Sequence, residues 1–149
     1  MSEYQQKRDF SKTTEPQAVV QETGLSRFVI QKHQASHLHW DLRLEKDGVL
    51  KSWAVPKEPP DQPGIKRLAV AVEDHPVDYI DFEGTIAEGQ YGAGTVEIWD
   101  KGSYEAEYID DKKWVFFLNG RRLTGRYALI HTRENQWLFF KTLEKTSKI

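Results

Sequence analysis

Three of the five histidines of this chain fall within seven residues, in the stretch Gln31-Lys32-His33-Gln34-Ala35-Ser36-His37-Leu38-His39-Trp40-Asp41-Leu42-Arg43-Leu44-Glu45. Beyond His37 the residue types alternate. His39, Asp41, Arg43 and Glu45 occupy one phase, and Leu38, Trp40, Leu42 and Leu44 the other. Period two marks a half-buried strand, whose successive side chains leave opposite faces. An imidazole, a carboxylate and a guanidinium therefore share one face, a costly set unless a metal and an anion hold it. His33, His39 and Asp41, spaced H-x5-H-x-D, offer two imidazoles and a carboxylate. That donor set suits a borderline divalent metal with open positions. Open positions permit Lewis-acid catalysis or activation of water. The structural alternative is a pair of core histidines and an Asp41–Arg43 salt bridge along the strand. His37 shares the phase of His39 and is a rival ligand. Arg43 can grip a phosphate or carboxylate with two parallel N–H groups; its plainer role is to neutralise Asp41.

A second group lies downstream. Arg67, Glu73 and His75 share a period-two phase, provided one strand runs that far, and Tyr79 follows His75 by four. His75 precedes Pro76, which biases its backbone to an extended conformation. An imidazole and a phenol beside a bound anion can donate protons or hydrogen bonds. Alone, such a group is more often structural. Glu88-Gly89-Gln90-Tyr91-Gly92-Ala93-Gly94 resembles a phosphate-cradling loop only superficially, because no helical pattern follows it. Its glycines are expected to permit tight turns. His131, between Ile130 and Thr132, reads as packing or surface.

These residues need a scaffold of strands. Met1 to about Thr23 is polar and aperiodic, so residues 1–24 read as a flexible arm. Residues 25–149 read as one mainly β domain. Strand-like runs cover Phe28–Gln31, Leu38–Lys46 and Val49–Val55, the last two joined by Asp47-Gly48, a strong two-residue hairpin signal. That turn pairs Lys46 with Val49, Leu42 with Trp53, Arg43 with Ser52, and Asp41 with Ala54, leaving small partners beside Asp41 and Arg43. Proline-rich Pro56–Gly64 is a loop. Further strands are expected at Arg67–Glu73, Thr95–Trp99, Ser103–Glu107, Trp114–Leu118, Arg121–Thr124, Tyr127–Thr132 and Trp137–Lys141. Asp100-Lys101-Gly102 and Asn119-Gly120 are expected to be turns. Many short antiparallel strands suggest an antiparallel β-barrel with short peripheral helices, one of them in the arm or near Pro76–Tyr79.

Composition narrows the chemistry. There is no cysteine, which removes disulfides, thiolate metal sites and cysteine nucleophiles. Any metal must be held by histidine and carboxylate, which suits manganese, iron or zinc. No apolar run approaches a membrane span, and the polar start is no signal peptide, so a soluble intracellular protein is expected. The net charge of −2 is unevenly spread. Residues 1–111 hold 12 Lys/Arg against 21 Asp/Glu, and residues 112–149 hold 9 against 2. The basic segment can meet a polyanion, or simply be a solvated face. The acidic remainder argues against coating of duplex nucleic acid and permits recognition of a terminus.

Several ordered segments together resemble the 3′-phosphoesterase domain of bacterial and archaeal DNA ligase D. They are Arg27–His33, Ser36–Glu45, Leu50–Lys57, Val72–Tyr79 and Phe82–Gly94, and the likeness runs from about Arg27 to Thr142. The resemblance implies a manganese-dependent β-barrel enzyme, with Co²⁺ or Zn²⁺ as possible substitutes. It implies two activities on DNA primer-template 3′ ends. One removes a 3′-terminal ribonucleoside and leaves a 3′-phosphate; the other removes that phosphate and leaves a 3′-OH. On the family pattern His33, His39 and Asp41 match metal ligands. Arg43 and His75 match groups at the scissile phosphate, and Lys57, Arg67, Glu73 and Tyr79 match supporting positions. No ligand role carries over to His37. DNA ligase D also has polymerase and ligase modules that this sequence lacks. The expectation is a standalone version in the prokaryotic cytoplasm, associated with the nucleoid and working beside a separate ligase and end-joining factors.

Two rival readings make different demands. A non-haem iron oxygenase would use His39-x-Asp41 with His131 as an H-x-D…H triad, leaving His33 idle. A non-catalytic DNA-end-binding module would bind ends without metal and form no product.

Overall fold

The computed structural model describes residues 26–87, 89 and 93–143; the expected arm and the last residues lie outside them. The strands are β1 (Ser26–Gln34), β2 (Leu38–Lys46), β3 (Val49–Val55), β4 (Lys66–Pro76), β5 (Gly84–Ile86), β6 (Gly94–Ile109), β7 (Lys113–Asn119), β8 (Thr124–Arg133) and β9 (Gln136–Lys141). They form one antiparallel sheet in the order β1-β2-β3-β4-β9-β8-β7-β6-β5, and β1 also pairs with β6. That pairing closes an antiparallel barrel and leaves β5 outside the ring as a short partner of β6. Closure removes the open edges that would otherwise invite association. Among the described residues the peripheral helices reduce to a single 3₁₀ turn, Val77–Asp81, directly after β4.

Period-two alternation divides inside from outside. Phe28 and Ile30 of β1, Trp40, Leu42 and Leu44 of β2, and Trp53 and Val55 of β3 join Phe116, Tyr127, Leu129 and Phe139 in the barrel interior. The opposite phase of β1, β2 and β3 faces outward. There the 3₁₀ turn folds back and buries a small second cluster, Val29, Leu50 and Ile80. The β2–β3 hairpin has the expected register: Lys46 pairs with Val49, Arg43 with Ser52 and Asp41 with Ala54. Its turn residues Asp47 and Gly48 both have positive φ, 54° and 82°. That conformation matches the twist of the flanking strands.

Three expectations are corrected. Asp100-Lys101-Gly102 is no turn but the middle of the continuous 16-residue strand β6. The buried Asp100 carboxylate instead accepts the backbone N–H groups of Arg121, Arg122 and Leu123. A side chain on Gly102 would strike the Asn119 carbonyl, so this glycine serves close approach rather than reversal. Asn119-Gly120 is likewise no two-residue hairpin. Residues 120–123 form a longer connection wrapped around Asp100, and β8 begins at Thr124. Lastly, Arg67, Glu73 and His75 do not keep one phase. Ser52 pairs with Val72 but Leu50 with His75, so β4 carries an extra residue opposite Lys51. Such a bulge moves the residues beyond it to the other phase. Arg67 shares the inner phase of Ala69, while His75 faces outward with Val72.

Candidate active site

The outer face of β1–β4 gathers the chemistry. His33 pairs with His39 across the β1–β2 ladder, and Asp41 lies two residues along from His39 on the same face. The imidazole centroids are 4.7 Å apart. Asp41 Oδ2 lies 3.3 Å from His39 Nε2 and 3.7 Å from His33 Nδ1. These donor atoms all lie within 4.8 Å of one another, and no other such group occurs among the described residues. His39 Nδ1 lies 3.2 Å from the His37 carbonyl oxygen. That carbonyl holds the ring so that Nε2 faces Asp41: protonated, Nε2 donates to the carboxylate, and deprotonated it would offer its lone pair to a metal, with the carbonyl as the outer support that a metal-binding histidine needs. His37 thus meets the group through its backbone, while its side chain is exposed. Two imidazoles and a carboxylate on adjacent strands fit a divalent transition metal by donor type.

Electrostatics favour an ionised Asp41. Burial alone would push its carboxyl up. The hydrogen bond with His39 and the charges of Arg43, His39 and His33 outweigh that and hold it below the ordinary aspartate value. The same hydrogen bond, against opposing burial, raises His39.

Arg43 is 4% exposed yet thoroughly held. Its Nε donates to Gln31 Oε1 at 2.7 Å, Nη1 donates to Ser52 Oγ at 2.8 Å, and Nη2 lies 3.5 Å from Asp41 Oδ2. The small partner expected opposite Arg43 therefore makes room for the guanidinium itself. Gln31, which no sequence argument singled out, is fully buried. Its Nε2 donates to the carbonyls of Tyr79 and Phe82, so it ties the 3₁₀ turn to Arg43. A signal was available: Gln31 stands between Val29 and His33 in the outward phase of β1, where a buried amide needs partners.

The bulge in β4 turns His75 toward Arg43. Its Nδ1 lies 3.2 Å from Arg43 Nη1 and 3.2 Å from the Glu73 carbonyl. A guanidinium only donates and a carbonyl only accepts, so Nδ1 accepts from Arg43 when it carries no proton and donates to Glu73 when it does; either way Nε2 is the nitrogen left facing outward. Burial, then the Arg43 charge, lowers the His75 pKa, which keeps the ring neutral near pH 7. Tyr79 packs on His75 at 4.9 Å between ring centroids, with the Arg43 guanidinium 5.0 Å above its ring. Burial raises its phenol.

Other expected residues stand apart. The Glu73 side chain is exposed, and the residue meets His75 through its carbonyl. Lys57 is exposed in the loop leaving β3, at the barrel end that carries His39. Arg67 lies on the other face of β4 and donates to the Glu58 carbonyl. His131 sits on β8, across the ring from β2, where its Nε2 bonds the Glu134 carbonyl at 2.7 Å and its ring meets Trp137. An H-x-D…H triad is therefore not assembled. The basic segment from residue 112 onward forms mainly β7–β9, also across the barrel; Arg121 and Arg122 reach back to β6, where their backbone N–H groups meet Asp100 and the Arg122 side chain donates to the Trp99 carbonyl and lies over its ring. Most of the glycine segment expected to turn lies outside the described residues. Gly94 does make a close approach, because a side chain there would strike the Gln34 carbonyl of β1.

Residues 31–131 match the family model of the DNA ligase D 3′-phosphoesterase domain. The chain belongs to that family. It is 49% identical to the multifunctional non-homologous end joining protein LigD of Pseudomonas aeruginosa over 95% of its own length and 18% of that protein. It is 48% identical to the LigD proteins of Mycobacterium bovis and Mycobacterium tuberculosis, over 93% of its length and 19% of theirs. The chain thus spans about a fifth of the curated relatives it matches. The stretch matched by the 3′-phosphoesterase model contains His33, His39, Asp41, Arg43, His75 and Tyr79 together with Gln31 and Ser52 that hold Arg43. No helix among the described residues is long and apolar enough to cross a membrane.

Proposed function

We propose that this 3′-phosphoesterase family member is a metal-dependent hydrolase that processes DNA 3′ ends. It removes a 3′-terminal ribonucleoside, leaving a 3′-phosphate, and then removes that phosphate to leave a 3′-OH. Its substrates are primer-template 3′ ends bearing a ribonucleotide or phosphate, and its setting is end joining beside a DNA ligase. Manganese is the proposed metal, with cobalt or zinc as substitutes. The observation that carries this reading is the contact between two sites: a His33/His39/Asp41 donor group and, 3.5 Å from Asp41, a guanidinium aimed by buried partners.

His33, His39 and Asp41 would hold a divalent cation, which would supply Lewis-acid charge at the phosphoryl group. Arg43, prevented from swinging by Gln31 and Ser52, stabilises negative charge as it builds on the phosphoryl oxygens. A preorganised cation needs no reorientation at the moment of reaction. Water contributes the oxygen of the new P–O bond, and the P–O5′ bond to the terminal nucleoside breaks. His75, neutral and with Nε2 as its outward nitrogen, hydrogen-bonds the departing oxygen, and the proton that oxygen requires is the one released by the attacking water. Tyr79 fixes the rim of the anion site by packing on both His75 and Arg43. In the phosphatase step the departing oxygen is the 3′ oxygen of the strand. Lys57, Arg67 and Glu73 are proposed to support the site from outside this packed cluster.

A primer-template with a single 3′-terminal ribonucleotide, incubated with Mn²⁺ or with chelator, tests the reading. The expected result is a shortened, 3′-phosphorylated strand that converts to 3′-OH with Mn²⁺ only. End binding that survives chelation, with no product formed under any metal, would sink it in favour of a binding module.

A further inference from the structure

The geometry points to a base-stacking subsite formed by Phe82, which receives the nucleobase of the terminal nucleoside. The inference rests on the proposed hydrolysis and adds how its substrate is held. Three rings form a continuous arc. His75 meets Tyr79 at 4.9 Å, and Tyr79 meets Phe82 at 4.9 Å with the planes only 18° apart. The first ring of the arc touches Arg43, and the last ends beside β5. If His75 serves the departing oxygen, the nucleoside attached to that oxygen extends along the arc toward Phe82.

Phe82 has the surroundings of a binding surface rather than of a core residue. It is only partly buried, and it belongs to neither apolar cluster. Its neighbours Glu83, Gly84 and Thr85 are exposed. Gly84 adds no side chain beside it; a methyl there would come within 3.6 Å of the Phe82 Cζ edge. Gly84 pairs with Val96, and Val96 with His33. Two strand spacings, about 10 Å, therefore separate the backbone of Gly84, two residues beyond Phe82, from that of a metal ligand, His33, a span of the order of one nucleoside. The acids flanking Phe82 are engaged and turned aside: Asp81 pairs with Lys101, and Glu83 accepts the Ile98 N–H at 2.8 Å. Aromatic rings accept any base, because every base presents a π-face.

The turn that carries the ring is anchored through its main chain. Gln31 donates to the Tyr79 and Phe82 carbonyls, and the Phe82 N–H donates to the Tyr79 carbonyl at 3.1 Å. Replacing the ring leaves those bonds in place.

The test compares two primer-templates that differ only in the terminal ribonucleotide, one with its base and one abasic. The wild-type protein with Mn²⁺ should process the base-bearing end roughly tenfold or more faster at subsaturating substrate. Phe82→Ala should bring that ratio close to one, and Phe82→Trp should keep or raise it. Equal rates for the two ends with wild-type protein would overturn the inference, as would a Phe82→Ala protein that slows both ends alike and preserves the ratio. Absence of metal-dependent product from either end with wild-type protein is a distinct outcome and refutes the underlying hydrolase reading, and the subsite with it.

Discussion

At the scale of single residues, the site depends on atoms held from behind. Asp41 is ionised because His39 and Arg43 compensate its burial, and Arg43 is aimed because Gln31 and Ser52 bind two of its nitrogens. Asp41→Ala or His39→Ala should abolish metal-dependent product formation, and calorimetric titration of Mn²⁺ into either variant should show the loss of tight binding. Arg43→Lys keeps the charge but cannot form the planar fork that meets Gln31 and Ser52 together. Its kcat on the ribonucleotide primer should fall roughly 100-fold, and the thermal unfolding midpoint should also drop, because buried Gln31 and Ser52 lose a partner. A kcat within error of wild type would show that a point charge suffices. The alternation His39-x-Asp41-x-Arg43 was legible from residue types alone. The role of Gln31 was not, because a glutamine in a strand acquires meaning only from the carbonyls that the 3₁₀ turn brings to it.

At the scale of elements, the hairpin and the bulge decide the geometry. The Asp47-Gly48 turn specifies one register and hence which residues oppose Asp41 and Arg43. The β4 bulge has no comparable signature, and it alone turns His75 outward. The β1–β2 pair is also stitched at its far end, where Arg27 Nε and Nη2 donate to the two Glu45 carboxylate oxygens at 3.0 and 2.8 Å. The Arg27 hydrogen bond, against opposing burial, holds Glu45 below the ordinary glutamate value. A lowered folded-state pKa means that the unfolded chain binds more protons in that window. The stabilisation is therefore complete above the ordinary value of about 4.3 and is lost as pH falls through the lowered one. Arg27→Ala should lower the unfolding midpoint slightly at pH 7, by no more than the ~1 kcal/mol of an exposed pair. The difference from wild type should shrink on acidification below the glutamate range; a gap that widened there would contradict the assignment.

At the scale of the whole molecule, the barrel separates stability from chemistry. Its interior is aromatic and aliphatic, with Phe116 stacked parallel to Phe139 at 6.5 Å and edge-on to Tyr104. The proposed reaction groups occupy the outer surface of β1–β4. Phe116→Ala should cost about 3–5 kcal/mol in denaturant unfolding while leaving Mn²⁺-dependent turnover intact below its lowered midpoint. His131→Ala, on the opposite wall, should leave metal binding and turnover unchanged, whereas a role for His131 in the metal shell would abolish both.

Local sequence determined most of the strands, the β2–β3 hairpin register and the grouping of His33, His39, Asp41 and Arg43, since each follows from side-chain period and from turn chemistry within a few residues. Tertiary structure alone decided that this face looks outward and that His75 and Tyr79 close over it. It also decided that Arg67 and His131 stand elsewhere, and that Asp100-Lys101-Gly102 runs straight through instead of turning. Those outcomes depend on barrel closure, on one extra residue in β4 and on a carboxylate claimed by a distant loop. Each is a contact between segments far apart in the chain, which no local pattern encodes.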